Sequence, residues 1–219
     1  MNVGDLVLVV LLRIAAEQGA ALLNYAPVTA LTRDKHGFVD GVVARDLEGG
    51  QEIRAAARVV INAGGPFCDA VRRLADPGLP PLVAPSQGIH LVFAGSVLPG
   101  GAAIMVPHTS DGRVMFAIPW HGHTVVGTTD TPIEDASLEP RPLDDEIEFV
   151  LETASRYLRR PLKRADVLSV FVGIRPLVRS GDAKSTAALS RDHLIHIDPT
   201  GLITVTGGKW TTWRSMAEH

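Results

Sequence analysis

The spacing of hydrophobic residues changes along the chain, and each change predicts an element. Residues 5–19 are apolar on nearly all sides up to Gly19, where a left-handed cap would end a helix, so this stretch predicts a buried helix. Its apolar run, residues 6–12, is much shorter than the ~20 residues of a membrane span. No cationic segment precedes it and no small-residue cleavage site follows, so it does not read as a secretory signal. Residues 21–32 are rich in β-formers, Phe38, Val39, Val42 and Val43 alternate around Gly41, and residues 51–55 follow a Gly49-Gly50 turn. Together they predict a β-meander over about residues 21–55.

Residues 58–66 form a short, largely apolar run ending in small residues, followed by a helical pattern over 67–74. That predicts strand, tight turn and helix, with the strand in a sheet buried on both faces. A Pro-rich connection at 76–85 marks a boundary. Beyond it, strand-like segments at 88–93, 103–106, 113–120 and 124–127 predict a largely antiparallel half. Ile147, Val150, Leu151, Ala154, Tyr157 and Leu158 recur at helical spacing and predict a helix over 144–159. Strands resume at 167–174, 193–197 and 202–206, and a last helix opens at 207–212.

Composition narrows the function. With 46% hydrophobic and 21% charged residues the chain is globular, and a net charge of −3 offers no basic field for nucleic acid. Small-molecule chemistry is the expected class. Cys68 is the single cysteine, which excludes an internal disulfide and any CxxC zinc spacing; no metal is expected, and a reducing compartment fits.

Gly207-Gly208-Lys209-Trp210-Thr211-Thr212 follows an apolar strand and resembles an anion-binding turn. A phosphate loop would need glycine at the place of Ile203 and Ser or Thr at that of Trp210, so it is not one. A structural turn and a helix start aimed at a ligand both stay open. Thr128-Thr129-Asp130 reads equally as a pocket lining or as a turn capping its own N–H groups. Arg156, Arg159, Arg160, Lys163 and Arg164 read as solvated cations near a helix end.

Six segments in order carry a resemblance: 62–69 (NAGGPFCD), 86–90 (SQGIH), 127–130 (GTTD), 173–177 (GIRPL), 190–193 (SRDH) and 207–214 (GGKWTTWR). The chain resembles the FAD-dependent glycerol-3-phosphate dehydrogenases. The resemblance implies an α+β / α/β architecture: a glutathione-reductase-type FAD-binding fold, incomplete here, interleaved with a mixed, largely antiparallel substrate-domain sheet. Residues 1–80 and 200–219 would belong to the FAD-binding part and residues 81–199 to the substrate part. It further implies oxidation of sn-glycerol 3-phosphate at C2 to dihydroxyacetone phosphate, with hydride passing to FAD and electrons to a quinone. The expected location is the cytoplasm or, by peripheral contact, the inner face of the cell membrane.

Residue by residue, the resemblance implies that Arg175 and Arg191 clamp the phosphate, a task that suits the planar guanidinium fork. It implies that His90 serves the C2 hydroxyl, that Lys209 points its charge toward substrate or flavin, and that Thr129 is a further catalytic candidate lining the pocket. Val28, Ala63, Gly64, Gly65, Gly207, Gly208, Lys209, Trp210, Thr211 and Thr212 would meet the cofactor, the amides of 208–212 at a helix start facing the reduced flavin. Arg175 is expected to close an apolar strand at residue 174. The chain holds no GxGxxG turn for the FAD pyrophosphate, so it resembles the middle of an enzyme. Two other readings remain: an amine or amino-acid oxidase of the same fold, against which the paired arginines argue, and a non-catalytic fragment.

Overall fold

The computed structural model describes residues 3–110, 112–179 and 192–219. The chain divides into two compact units, one of Met1–Gly64, Cys68–Pro80 and Asp192–His219, the other of Gly65–Phe67 and Pro81–Arg191.

In the first unit, helix α1 (Val3–Glu17) forms where the apolar run predicts it. It is not buried: Leu8, Val9, Val10, Leu12 and Ile14 are 41–54% exposed. A helix apolar all round needs cover on every side, and the described part of this unit leaves these side chains in solvent. Strands β1 (Val28–Arg33), β2 (Val39–Arg45) and β3 (Glu52–Ala56) pair antiparallel in that order, the meander that the alternation predicts. Asp34 makes its first turn by accepting the N–H groups of His36 and Phe38.

The apolar run at 58–66 yields only β4 (Ile61–Asn62), which lies parallel to β12 (Ile203–Gly207); β12 in turn pairs antiparallel with β11 (His193–Ile197). The expectation of a strand buried on both faces is corrected, because Val59 and Ile61 are exposed. The parallel register lasts just two residues, and polar Asn62 is the side chain that goes inside. Its amide donates to the Cys68 carbonyl at 2.8 Å and its oxygen accepts the Gly64 N–H at 3.2 Å, which folds the chain into helix α2 (Cys68–Ala75). Arg72 on α2 is 1% exposed and makes a two-pronged bond to Asp198, with Nε at 3.1 Å and Nη2 at 2.8 Å. Its Nη1 reaches Asp69 at 3.0 Å and the Pro80 carbonyl at 2.7 Å. Both buried charges are thus paired, without which burial would be costly. Val39, Ala75 and Leu202 form the small core.

The second unit is built on β5 (Val83–Ala94), longer than the predicted 88–93. Around it lie β6 (Ile104–Val106), β7 (Met115–Trp120), β8 (His123–Gly127), β9 (Thr131–Pro132) and β10 (Ser169–Val178). Their order is β10-β5-β8-β7-β6 with β9 on β5, and every pairing is antiparallel. Alternation along β5 sends Ile89, Leu91 and Phe93 inward. With Met115, Ala117 and Val126 they meet Ile147, Val150, Leu151 and Ala154 of helix α3 (Asp144–Ser155). That helix is shorter than predicted because the Ser155 hydroxyl donates to the Leu151 carbonyl and accepts the Leu162 N–H, turning the chain back. Arg160 and Arg164 stay in solvent, paired with Asp166 and with Asp144 and Glu148.

Candidate active site

The face of the second unit's sheet opposite α3 carries the residues that alternate with the core: His90 on β5, and Phe116 and Ile118 on β7. With Arg113, Val114, Val125, Thr128, Asp130 and Arg175 they line a cavity of about 410 Å³. Arg175 does not close β10, as the apolar run predicts. The strand continues to Val178, and Arg175 sits within it opposite Ser86. Its guanidinium lies over Gly88, where a Cβ would collide with it. Nη2 donates to Thr128 Oγ1 at 3.0 Å, and Nη1 stands 3.4 Å from Asp130 Oδ1.

Asp130 is buried and also accepts the Ser86 hydroxyl. His90 is half-buried and stacks on Phe171 with ring centres 4.9 Å apart. Burial, and secondarily the Arg175 cation, hold its pKa below the ordinary histidine range. An imidazole neutral at pH 7 can accept a proton, as a general base must.

Thr129 does not line this cavity, which corrects its expected place in the pocket lining. Its hydroxyl donates to Glu146 at 2.8 Å and accepts the Ile89 N–H at 3.0 Å, on the helix side of the sheet. Neighbours on an extended chain point to opposite sides, so Thr128 and Asp130 face the cavity while Thr129 and Thr131 face α3. Glu146 takes both threonine hydroxyls at 2.8 Å and the Gln87 amide at 2.8 Å. Glu146 and Arg113 were not singled out from sequence, and Ser86 only as part of the 86–90 segment; an acid opening a helix and an arginine opening a strand look solvated. Arg191 lies outside the described residues.

The first unit has its own cavity, about 790 Å³, with an apolar floor of Ile61, Ile195, Ile203 and Val205. Ala63, Gly207, Lys209 and Trp210 line it; Gly64, Gly208, Thr211 and Thr212 adjoin it in sequence. Val28 begins β1 on the meander and is not part of this lining, and Gly65 belongs to the second unit. The chain turns helical within the expected stretch: a 3-10 turn over Trp210–Thr212 runs directly into helix α4 (Trp213–Glu218). Lys209 caps it, its N–H bonding to Thr212 Oγ1 and its carbonyl accepting the Thr212 N–H.

The family described as FAD dependent oxidoreductase matches residues 4–214. Over 205 residues the chain is 48% identical to the mitochondrial glycerol-3-phosphate dehydrogenase SDP6 of Arabidopsis thaliana, covering 93% of this chain and 32% of that protein. It is 43% identical to the mitochondrial glycerol-3-phosphate dehydrogenase of Homo sapiens, covering 93% of this chain and 29% of that one. The solved glycerol-3-phosphate dehydrogenase of Bacillus halodurans, complexed with FAD, superimposes with a TM-score of 0.79 at 35% identity, over 93% of this chain and 39% of that one. The chain therefore spans about a third of the length of these relatives.

Proposed function

The chain belongs to the family of FAD-dependent oxidoreductases, and from that premise we propose that it takes part in oxidising sn-glycerol 3-phosphate at C2 to dihydroxyacetone phosphate. The observation that carries this reading is the convergence of Arg175, His90 and Thr128 on one cavity. Arg175 binds the phosphate by charge-assisted hydrogen bonds, and Thr128 keeps its fork in place. His90, neutral in its half-buried stack, takes the proton of the C2 hydroxyl at an imidazole nitrogen. Arg191 joins the phosphate clamp on the strength of the resemblance.

The residues present fit part of FAD. The open apolar floor of Ile61, Ile195, Ile203 and Val205 with Trp210 suits a flat aromatic ring, and Lys209 at its edge suits negative charge. The chain has no GxGxxG turn to seat a pyrophosphate. When bound, FAD supplies the hydride acceptor. We also infer a quinone as the final acceptor and peripheral contact with the inner face of the cell membrane; no described helix is long and apolar enough to cross one.

Anaerobic titration of the FAD-loaded protein tests the reading. Loss of the flavin's blue absorbance with glycerol 3-phosphate, and not with amino acids, is the expected result. Bleaching by an amino acid alone would move the protein to the amine oxidases. A chain that stays colourless with FAD would be the non-catalytic fragment. Added quinone should restore the absorbance of the reduced protein.

A further inference from the structure

Arg113 lines the same cavity as Arg175. Its backbone is fixed by Thr109, whose hydroxyl accepts the Arg113 N–H at 3.0 Å and whose own N–H bonds to the Arg113 carbonyl at 2.8 Å. Its side chain is 20% exposed, and Nη1 stands 3.5 Å from Asp130 Oδ2. The other oxygen of that carboxylate faces Arg175 Nη1 at 3.4 Å. One buried carboxylate is therefore shared by two guanidiniums, each with five N–H donors.

Among the described residues lining the cavity, the permanent charges are these two cations and this one anion. The rest of the lining is largely apolar, with Val114, Phe116, Ile118 and Val125. Both arginines line the cavity, so an anion that enters it meets two guanidinium-bearing side chains. A carboxylate has two oxygens and is matched by a single fork. A phosphate monoester has three terminal oxygens and close to two negative charges, and it can engage two forks at once.

We propose that Arg113 is a second anion-binding arginine of this cavity, set apart from Arg175 by Asp130 so that a dianionic phosphate monoester is held by both. The proposal rests on the oxidation reading and deepens it. It makes the cavity a selector for the doubly charged phosphate over singly charged acids of similar size.

The test uses the FAD-loaded protein with Arg113→Ala and Arg113→Lys. Flavin reduction by glycerol 3-phosphate gives KM and kcat, and calorimetry at pH 8 gives the binding of inorganic phosphate and of glycerate, a singly charged carboxylate. Arg113→Ala should raise KM and weaken phosphate binding about ten- to hundredfold, the usual loss for a hydrogen bond to a charged group. Glycerate binding and kcat should stay within about threefold of the unsubstituted protein, since neither needs the second fork. Arg113→Lys, which keeps the charge and loses the fork, should fall between.

Unchanged KM and phosphate binding would overturn the proposal. So would equal weakening for phosphate and glycerate, which would mean that Arg113 only holds the cavity's shape. Should Arg113→Ala fail to fold, phosphate affinity in Arg113→Lys decides: an unchanged value overturns the proposal. The two readings separate cleanly. If glycerol 3-phosphate leaves the flavin oxidised while phosphate binding still depends on Arg113, the oxidation reading fails and the anion site stands.

Discussion

The two units each carry a cavity, and the cavities are built on opposite plans. In the second unit every charged group at the cavity is backed by another polar group. Arg175 rests on Thr128 and Asp130, Asp130 accepts Ser86, and Glu146 grips the two threonines flanking Asp130 from the helix side. In the first unit the paired charge cluster of Arg72, Asp69 and Asp198 does not line the cavity, whose walls are mostly apolar, with two tryptophans and with Lys209 and His219. On the proposed reading the second unit's charges meet a ligand, whereas Arg72, Asp69 and Asp198 hold the first unit together. The difference teaches that buried ion pairs in one chain can serve different ends, and that exposure tells them apart. Arg72 and Asp198 have side chains 2% and 0% exposed, whereas Arg175 is 27% exposed.

The contrast breaks first, and with the largest effect, at Asp198. Asp198→Ala would leave the buried Arg72 guanidinium with Asp69 as its remaining anionic partner, beside the Pro80 carbonyl, at a cost of about 3–5 kcal/mol in the stability of the first unit. Denaturant unfolding measures it. Arg175→Ala should instead raise KM for glycerol 3-phosphate about ten- to hundredfold and leave the unfolding midpoint nearly in place, because the lost group faces the cavity. If Arg175→Ala cost as much stability as Asp198→Ala, the distinction between a ligand clamp and a fold clamp would be gone.

Two glycines sharpen the comparison at a smaller scale. Gly208 has φ of +71°, and a Cβ there would also run into the Met216 thioether. Gly208→Ala should therefore destabilise the first unit by about 1–2 kcal/mol from the left-handed backbone alone, read as a lower unfolding midpoint. At Gly88 the obstacle is the Arg175 guanidinium itself. Gly88→Ala should push that fork aside and show as a higher KM in the second unit. A Gly88→Ala protein with unaltered KM would mean that the guanidinium is not held over that glycine.

Much of the second unit was legible in the sequence because its signals are local. Helical spacing from Ile147 to Ala154 marks α3, and alternation along β5 and β7 assigns their faces without knowledge of the partners. Thr129 shows where such reading stops. It lies next to Thr128 and Asp130, and only the pleat of an extended chain decides which of the three meets the cavity. The Arg72–Asp198 pair joins residues 126 apart, a distance no spacing rule spans. The short β4 misled for a related reason: an apolar run reports affinity for a core, and the length of a strand depends on how far its neighbour stays in register. The helix opening at 207–212 was legible because its signal is local: Thr212 bonds back to Lys209 and caps the turn that leads into α4.

The finest comparison is between His90 with and without its neighbour. Burial is the larger cause of its lowered pKa and Arg175 the smaller, so Arg175→Ala should raise that pKa while leaving it below the unfolded value of about 6.5. The sign of the linked stability follows. A histidine with a lowered folded pKa takes up its proton first in the unfolded chain, so its contribution is complete above pH ~6.5 and is lost as pH falls through that value toward the folded one. The loss on acidification should be smaller in Arg175→Ala, because the two pKa values then lie closer together. Titration of the His90 imidazole by NMR, with unfolding midpoints on both sides of that window, measures both effects. A His90 pKa indifferent to Arg175 would separate the two groups electrostatically, and with them the proposed proton acceptor from the proposed phosphate clamp.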